Sequence, residues 1–167
     1  MDSPRPRLAT VADAAAINAI YNYYVRNSVA TFQIGDETTE EREEELRNRL
    51  PKQPLTVLEI EDEIVGWGAL SPFQSRCAYR DAIELSAYVR HDHHRCGYGR
   101  IIVQDLIARA TSSGYHSVIA VCCEESAGMI NLLNSLGFVE AGRLRQVGSK
   151  FGRRLDVAYL QLLLGSV

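Results

Sequence analysis

The chain has 167 residues, 46% of them apolar, and 18 Lys and Arg against 21 Asp and Glu give a formal charge of −3. That length supports one substantial core, so residues 1–167 read as a single domain, and the charge leaves no cationic excess to hold a nucleic-acid backbone. Residues 1–7 lack the apolar segment of an export signal and no later stretch reaches membrane-spanning length, which together predict a cytoplasmic protein with no membrane partner.

Thr10 and Asp13 have the spacing of a helix-opening capping box, and Val11, Ala14, Ile17, Ile20, Tyr21, Tyr24 and Val25 then recur with helical period. A first amphipathic helix is expected there. Thr38 and Glu41 repeat the box ahead of Leu46 and Leu50, and the Glu and Arg crowded into that segment predict a helix with a solvated outer face. Residues 55–60 and 64–70 are β-rich runs on either side of Glu61-Asp62-Glu63, a hairpin pattern, and a longer loop leads to a strand over 82–89. Residues 99–113 carry Val103, Leu106, Ile107 and Ala110 on one face and stop at Gly114, a residue suited to a left-handed helix end. The apolar run 118–123 predicts a strand buried on both faces. Met129, Ile130, Leu132, Leu133 and Leu136 mark one more helix ending at Gly137, before strands over 138–146 and 155–162. The order ααββ, then βαβαββ, calls for an α/β layered architecture with partly parallel strands.

His94-Arg95-Cys96-Gly97-Tyr98-Gly99-Arg100 joins a strand to a helix. Unpaired N–H groups and the positive end of the helix dipole suit such a turn to an anion, Gly97 and Gly99 permit close approach of the main chain, and Arg95 and Arg100 add charge. A dinucleotide fingerprint would need glycine where Ile102 stands, and a phosphate-binding P-loop would need Gly-Lys-Ser/Thr, which is absent. An ordinary glycine-containing helix entrance is the alternative. His91, Asp92, His93, His94 and Cys96 supply metal-binding chemistry, but neighbours in extended chain point to opposite sides and no distant His/Cys pair completes a tetrahedron, so no metal is expected. Cys77, Cys96, Cys122 and Cys123 show no CxxC spacing and read as thiols, the adjacent pair as buried packing.

The glycine turn resembles the pyrophosphate motif Gln/Arg-x-x-Gly-x-Gly/Ala of the GNAT acetyltransferases, with His94 in its first position. Ile20-Tyr21-Asn22-Tyr23-Tyr24-Val25 with Asn27-Ser28 and Thr31-Phe32 is similar to the opening of the phosphinothricin acetyltransferase group. So, in order and spacing, are Phe73, Arg76 and Tyr79, then Glu84 within Ile83-Glu84-Leu85-Ser86-Ala87-Tyr88-Val89. Leu136-Gly137-Phe138 and Lys150-Phe151-Gly152-Arg153-Arg154-Leu155-Asp156-Val157 extend the likeness over nearly the whole chain. The resemblance implies the GNAT fold, an α/β architecture with a mixed central sheet of six to seven strands flanked by four helices. It implies acetyl-CoA as co-substrate without a metal, and a two-fold homodimer. The acceptor it implies is a small amino-acid-like amine such as phosphinothricin, methionine sulfone or sulfoximine, or a related L-amino acid. It further implies that Ala87, Tyr88 and Val89 offer backbone groups to the pantetheine arm and that Arg95, Cys96, Gly97, Tyr98, Gly99 and Arg100 cradle the pyrophosphate. Ser126 stands where relatives touch the cofactor with Asn.

An α-amino group with pKa about 7.7–8.0 is largely protonated at neutral pH, so acetyl transfer needs a base. Glu84, among Ile83, Leu85, Ala87 and Val89, is the candidate, acting directly or through a bound water; by spacing alone it equally fits a solvated glutamate facing out with Ser86. The Val89 backbone N–H is the candidate oxyanion donor. Leu133 occupies the position of the family's acid, so no acid is expected there. Arg76 and Tyr79 are candidates for binding a substrate carboxylate and shaping the pocket, and Phe32 for its wall. Acetylation of a peptide or protein N-terminus, and a non-catalytic acyl-CoA-binding sensor, fit the same residues.

Overall fold

Residues 4–165 are described in a computed structural model of the protein; residues 1–3 of the N-terminal stretch, and 166–167, lie outside the described residues. Seven strands form one sheet. β2 (Leu55–Ile60), β3 (Glu63–Pro72) and β4 (Ala82–Val89) run antiparallel, β5 (Ser117–Cys123) joins β4 in parallel, and β6 (Val139–Lys150) and β7 (Arg153–Leu163) close the chain as a hairpin. β1 (Arg7–Leu8) adds an edge, and the order across the sheet is β1-β2-β3-β4-β5-β7-β6. The expected mixed sheet is present with four α-helices, α1 (Ala14–Asn27), α2 (Thr39–Asn48), α3 (Tyr98–Ser112) and α4 (Ala127–Ser135).

The helices take opposite faces because apolar residues alternate along the strands. Ile17 and Ile20 of α1 meet Leu55, Val57, Trp67 and Ala69 on one side. Ile102, Val103 and Leu106 of α3, with Leu133 of α4, meet Leu58, Val65, Leu85 and Leu160 on the other. A Cβ at Gly68 would lie 2.7 Å from Ile102 and Leu106, so this glycine is what lets α3 sit down on β3.

Both tight hairpins follow local rules. Glu61 and Asp62 between β2 and β3, and Phe151 and Gly152 between β6 and β7, all have positive φ, the geometry that a two-residue turn needs to match strand twist. Thr38 opens α2 with the expected reciprocal box: its hydroxyl accepts from the Glu41 N–H at 3.2 Å, and the Glu41 carboxylate accepts from the Thr38 N–H at 2.8 Å.

Three features differ from the sequence-based expectation. β1 is too short to show periodicity; Arg7 fixes it through two bonds to Asp13 at 2.8 and 3.0 Å and two to Glu59. Thr10 and Asp13 form the expected box, the Thr10 N–H donating to the Asp13 carboxylate at 2.7 Å, but it opens a 3-10 turn (Val11–Asp13) ahead of α1 rather than α1 itself. The charge of α2 is not all on a solvated face: Arg42 is buried, paired with Glu37 and Glu45 and stacked over the rings of Tyr21 and Trp67.

Candidate active site

β4 and β5 share only three paired positions, Ala82 with Ser117, Ile83 with Val118 and Glu84 with Ile119. Beyond them β5 stays with β7 through Cys123, while β4 stays with β3 through Val89, so the strands part. The β4 edge from Leu85 to Val89 is left without a strand partner on that side, and its backbone groups require some other acceptor or donor. The gap opens into a cleft of about 680 Å³ lined by Ala87, Tyr88, Val89, the loop before α3 and the start of α4. A smaller cavity of about 80 Å³ lies at the crotch, with Ser86, Cys122, Ser126 and Leu133 in its wall.

The loop into α3 is bent by two left-handed residues, Arg95 at φ 64° and Gly97 at φ 80°. Gly97 caps the helix without a side chain, and the first intrahelical bond runs from Ile101 N–H to the Gly97 carbonyl at 3.3 Å. The N–H groups of Tyr98, Gly99 and Arg100 are therefore unclaimed by the helix, at its positive end and on the cleft wall. The two glycines have separate reasons. A Cβ at Gly97 would meet nothing, so its backbone conformation is the constraint; a Cβ at Gly99 would sit 3.3 Å from Leu132, so close packing of α3 on α4 is. Arg95 lines the cleft, as does Arg100, whose guanidinium also donates to the Ser135 hydroxyl at 2.7 Å. Cys96 is exposed and outside the cleft wall.

Tyr24 is a cleft residue that helical periodicity disguises. Its hydroxyl lies 2.5 Å from the Val89 carbonyl and 2.6 Å from His94 Nε2. One phenolic proton cannot serve both, so Tyr24 donates to Val89 and accepts from His94. Burial pushes the Tyr24 hydroxyl up to about 12, which keeps that proton in place.

Glu84 occupies the last paired position before the strands separate. Ile83, Leu85 and Ala87 face the α3 side, so Glu84, Ser86 and Tyr88 share the α1 side of the sheet. The Glu84 carboxyl is half-buried, and burial alone raises its pKa, with no ion pair or hydrogen bond offsetting the shift. Leu133 is fully buried at the crotch, so no acid stands there. Burial pushes the Cys122 thiol up to about 11, which keeps it neutral. Ser126 opens α4 and lines both cavities, its hydroxyl making no capping bond.

The three expected substrate residues do not line the cleft. Phe32 packs on β6, where a Cβ at Gly148 would fall 2.1 Å from its ring. Arg76 opens and Tyr79 ends an exposed turn before β4, the Tyr79 and Phe73 rings meeting edge to face with their centres 5.8 Å apart. The histidine-rich segment scatters its donors: His91 stacks on Tyr23, His93 bonds Asp92, and His94 bonds Tyr24. Among the described residues no cluster of three His, Cys, Asp or Glu could hold a metal, and no helix is long and apolar enough to cross a membrane.

Comparison with known proteins agrees with this geometry. The acetyltransferase (GNAT) domain family matches residues 7–158. An L-methionine sulfoximine/L-methionine sulfone acetyltransferase of Salmonella typhimurium is 35% identical over 159 residues, 95% of this chain and 93% of the relative. A crystal structure of a GNAT-superfamily phosphinothricin acetyltransferase from Sinorhizobium meliloti in complex with acetyl-CoA superposes with TM-score 0.93 at 31% identity, covering 98% of this chain and 90% of that one. A ribosomal-protein-alanine N-acetyltransferase from Brucella melitensis gives 0.92 at 38% identity over 95% and 99% of the two chains. A parted parallel strand pair beside a helix start that no side chain caps, in a chain matched by the family over residues 7–158, makes this protein a member of the GNAT acetyltransferase family, within its phosphinothricin acetyltransferase-like group.

Proposed function

We propose that the protein transfers the acetyl group of acetyl-CoA to the amino group of a small amino-acid-like acceptor of the phosphinothricin, methionine sulfone or methionine sulfoximine type. The observation that carries this reading is the unpaired β4 edge from Leu85 to Val89, which runs into the loop at the start of α3. An extended pantetheine arm has the amide spacing to pair with that edge, and its pyrophosphate meets the free N–H groups of Tyr98, Gly99 and Arg100 with Arg95 beside them. Ser126 adds a hydroxyl from the opposite wall.

Glu84 takes the acceptor's proton, directly or through a water, since its raised pKa brings a carboxylate toward the range of a useful base. The neutral amine attacks the thioester carbon, the Val89 N–H receives the oxyanion, and collapse expels the thiolate without a side-chain acid at Leu133. Arg76, Tyr79 and Phe32 are assigned to the acceptor side, with Arg76 taking the α-carboxylate. The same reading carries a cytoplasmic homodimer, supported by apolar Val139, Leu144 and Val147 exposed on the outer strand β6; light scattering at twice the monomer mass is the expected result.

Thiol release from acetyl-CoA against a panel of free amino acids and peptides tests the activity. Free amino acids are expected to be acetylated; turnover restricted to peptides would replace this reading with N-terminal acetylation, and no turnover with any amine would leave an acyl-CoA-binding protein. Glu84→Gln is expected to lower kcat about 10²- to 10⁴-fold, and full kcat in that variant across pH would remove the base assignment.

A further inference from the structure

Two side chains join the halves of the cleft. Tyr24, in the last turn of α1, and His94, just ahead of the left-handed bend at Arg95 and Gly97, both line its wall. The Tyr24 hydroxyl lies 2.5 Å from the Val89 carbonyl at the end of β4 and 2.6 Å from His94 Nε2. Two hydrogen bonds therefore run from the loop that precedes α3 to the strand edge that β5 leaves unpaired.

The direction of that chain is fixed. The Val89 carbonyl only accepts, so the phenolic proton goes to it and His94 Nε2 must carry a hydrogen. Burial raises the Tyr24 hydroxyl to about 12, so no phenolate takes part. Two forms of His94 keep the bond, the neutral ring with its hydrogen on Nε2 and the imidazolium, and the second makes the stronger, charge-assisted donor. His94 is an exposed residue, and among the described residues no hydrogen bond holds its Nδ1, so solvent can supply the proton that separates the two forms.

Charge on the wall selects between them. The other titratable or charged side chains there are Tyr88 from β4, His93 and Arg95 from the same loop, Tyr98 and Arg100 from α3, and Glu125 ahead of α4. Glu125 is paired with Arg153 at 2.7 Å, and His93 is bonded to Asp92 at 2.9 Å. The Cys96 thiol lies against the His94 carbonyl at 3.6 Å. In the free protein His94 thus shares the wall with two guanidinium groups, and like charge favours its neutral ring. A diphosphate seated at the start of α3 reverses the balance, because negative charge on the same wall favours the imidazolium.

We infer that His94 is a positioning residue for acetyl-CoA: the bound diphosphate draws a proton from water onto Nδ1, and the strengthened His94–Tyr24–Val89 chain fixes the end of β4, which meets the pantetheine, to the turn that meets the diphosphate. The inference rests on the proposed function, in that the cofactor must occupy this cleft. It goes beyond that reading by making cofactor affinity depend on pH at the opposite end of β4 from Glu84. Proton uptake on binding means that affinity falls as pH rises through the range in which histidine titrates.

Calorimetric titration in two buffers of different ionisation heat tests the uptake. The probe is dephospho-CoA, which keeps the diphosphate and lacks the 3′-phosphate, a group that itself titrates near neutrality. At pH about 7 the parent is expected to take up about half a proton per molecule bound. Its Kd is expected to rise about three- to tenfold from pH about 6 to about 8, as an about tenfold preference of the diphosphate for the imidazolium requires. His94→Gln keeps a donor for Tyr24 and cannot titrate; its Kd is expected within about threefold of the parent at pH about 7, flat across that range and without uptake. His94→Ala and Tyr24→Phe each break the chain and are expected to raise KM for acetyl-CoA about five- to tenfold, the double variant no further, since the two side chains act as one unit. Melting temperatures report that the variants are folded. Binding without proton uptake, uptake retained in His94→Gln, or effects of the two truncations that multiply overturns the inference and leaves the proposed function standing. Uptake that His94→Gln abolishes, without thiol release to any amine, supports the inference and overturns the transferase. No binding of dephospho-CoA by the folded parent overturns both.

Discussion

At Glu84 burial favours the neutral carboxyl, and nothing on the protein compensates the charged one. The sign of its linkage to folding follows. A pKa raised in the folded state contributes stability below the unfolded value of about 4.3 and loses it as pH climbs through the folded pKa. Glu84→Gln, uncharged throughout, is expected to melt higher than the parent at pH about 7 and to converge with it below pH about 4, a comparison made by calorimetry at the two pH values. Activity runs the other way: kcat of the parent falls as acid protonates Glu84, and the midpoint of that fall is expected above the ordinary glutamate value. Tyr24 acts at the other end of β4, through two short hydrogen bonds. Tyr24→Phe keeps the ring against Tyr23 and Tyr88 but frees the Val89 carbonyl and His94. The expected outcome is a KM for acetyl-CoA raised about five- to tenfold with the melting temperature within a few degrees, measured by steady-state kinetics and thermal denaturation.

At the scale of elements, the closing hairpin is fastened to α1 by one buried amine. Lys150 Nζ donates to the Ser28 and Thr31 carbonyls at 2.7 Å each and to the Tyr24 carbonyl at 3.4 Å, at and just past the end of α1, where the helix dipole is negative. Lys150→Met retains the stem and takes the donor from the Ser28 and Thr31 carbonyls, the Tyr24 carbonyl keeping the Ser28 N–H at 3.0 Å, so it is expected to cost about 1–3 kcal/mol in denaturant unfolding. Gly148→Ala tests the neighbouring contact, because its methyl would occupy the position of the Phe32 ring. The expected result is a raised KM for the acceptor with KM for acetyl-CoA little altered. These contacts also explain which elements the amino-acid order discloses. The Thr38–Glu41 box and the left-handed Gly97 and Gly114 depend on neighbours a few residues away and are visible as patterns. Arg42 is not: its burial is created by Asn18 and Trp67, each 24 or 25 positions distant, so the sequence presents it as one more charge on a polar helix.

Over the whole molecule, layer order and helix count were legible because alternation and helical period state which face of each element is apolar. The parting of β4 from β5 was not. The run 118–123 has the same apolar character whether it pairs along its whole length or for three residues, and only the competing claim of β7 decides how far it stays with β4. Glu84 was legible as a chemical type through family likeness, while its place at the last shared register is a property of the assembled sheet. Tyr24 illustrates the same limit, since the carbonyl it holds lies 65 positions away.

Three residue pairs are a narrow seam between the two halves of a seven-stranded sheet. Amide hydrogens of Leu85–Val89 that point into the gap have solvent, not a neighbouring strand, to slow their escape, so deuterium should replace them quickly in the free protein. Supplying acetyl-CoA would then act as a missing strand: the largest gain in protection is expected along that margin and at the start of α3, with the β2–β3 half nearly unaffected, and mass spectrometry of exchanged peptides would map it.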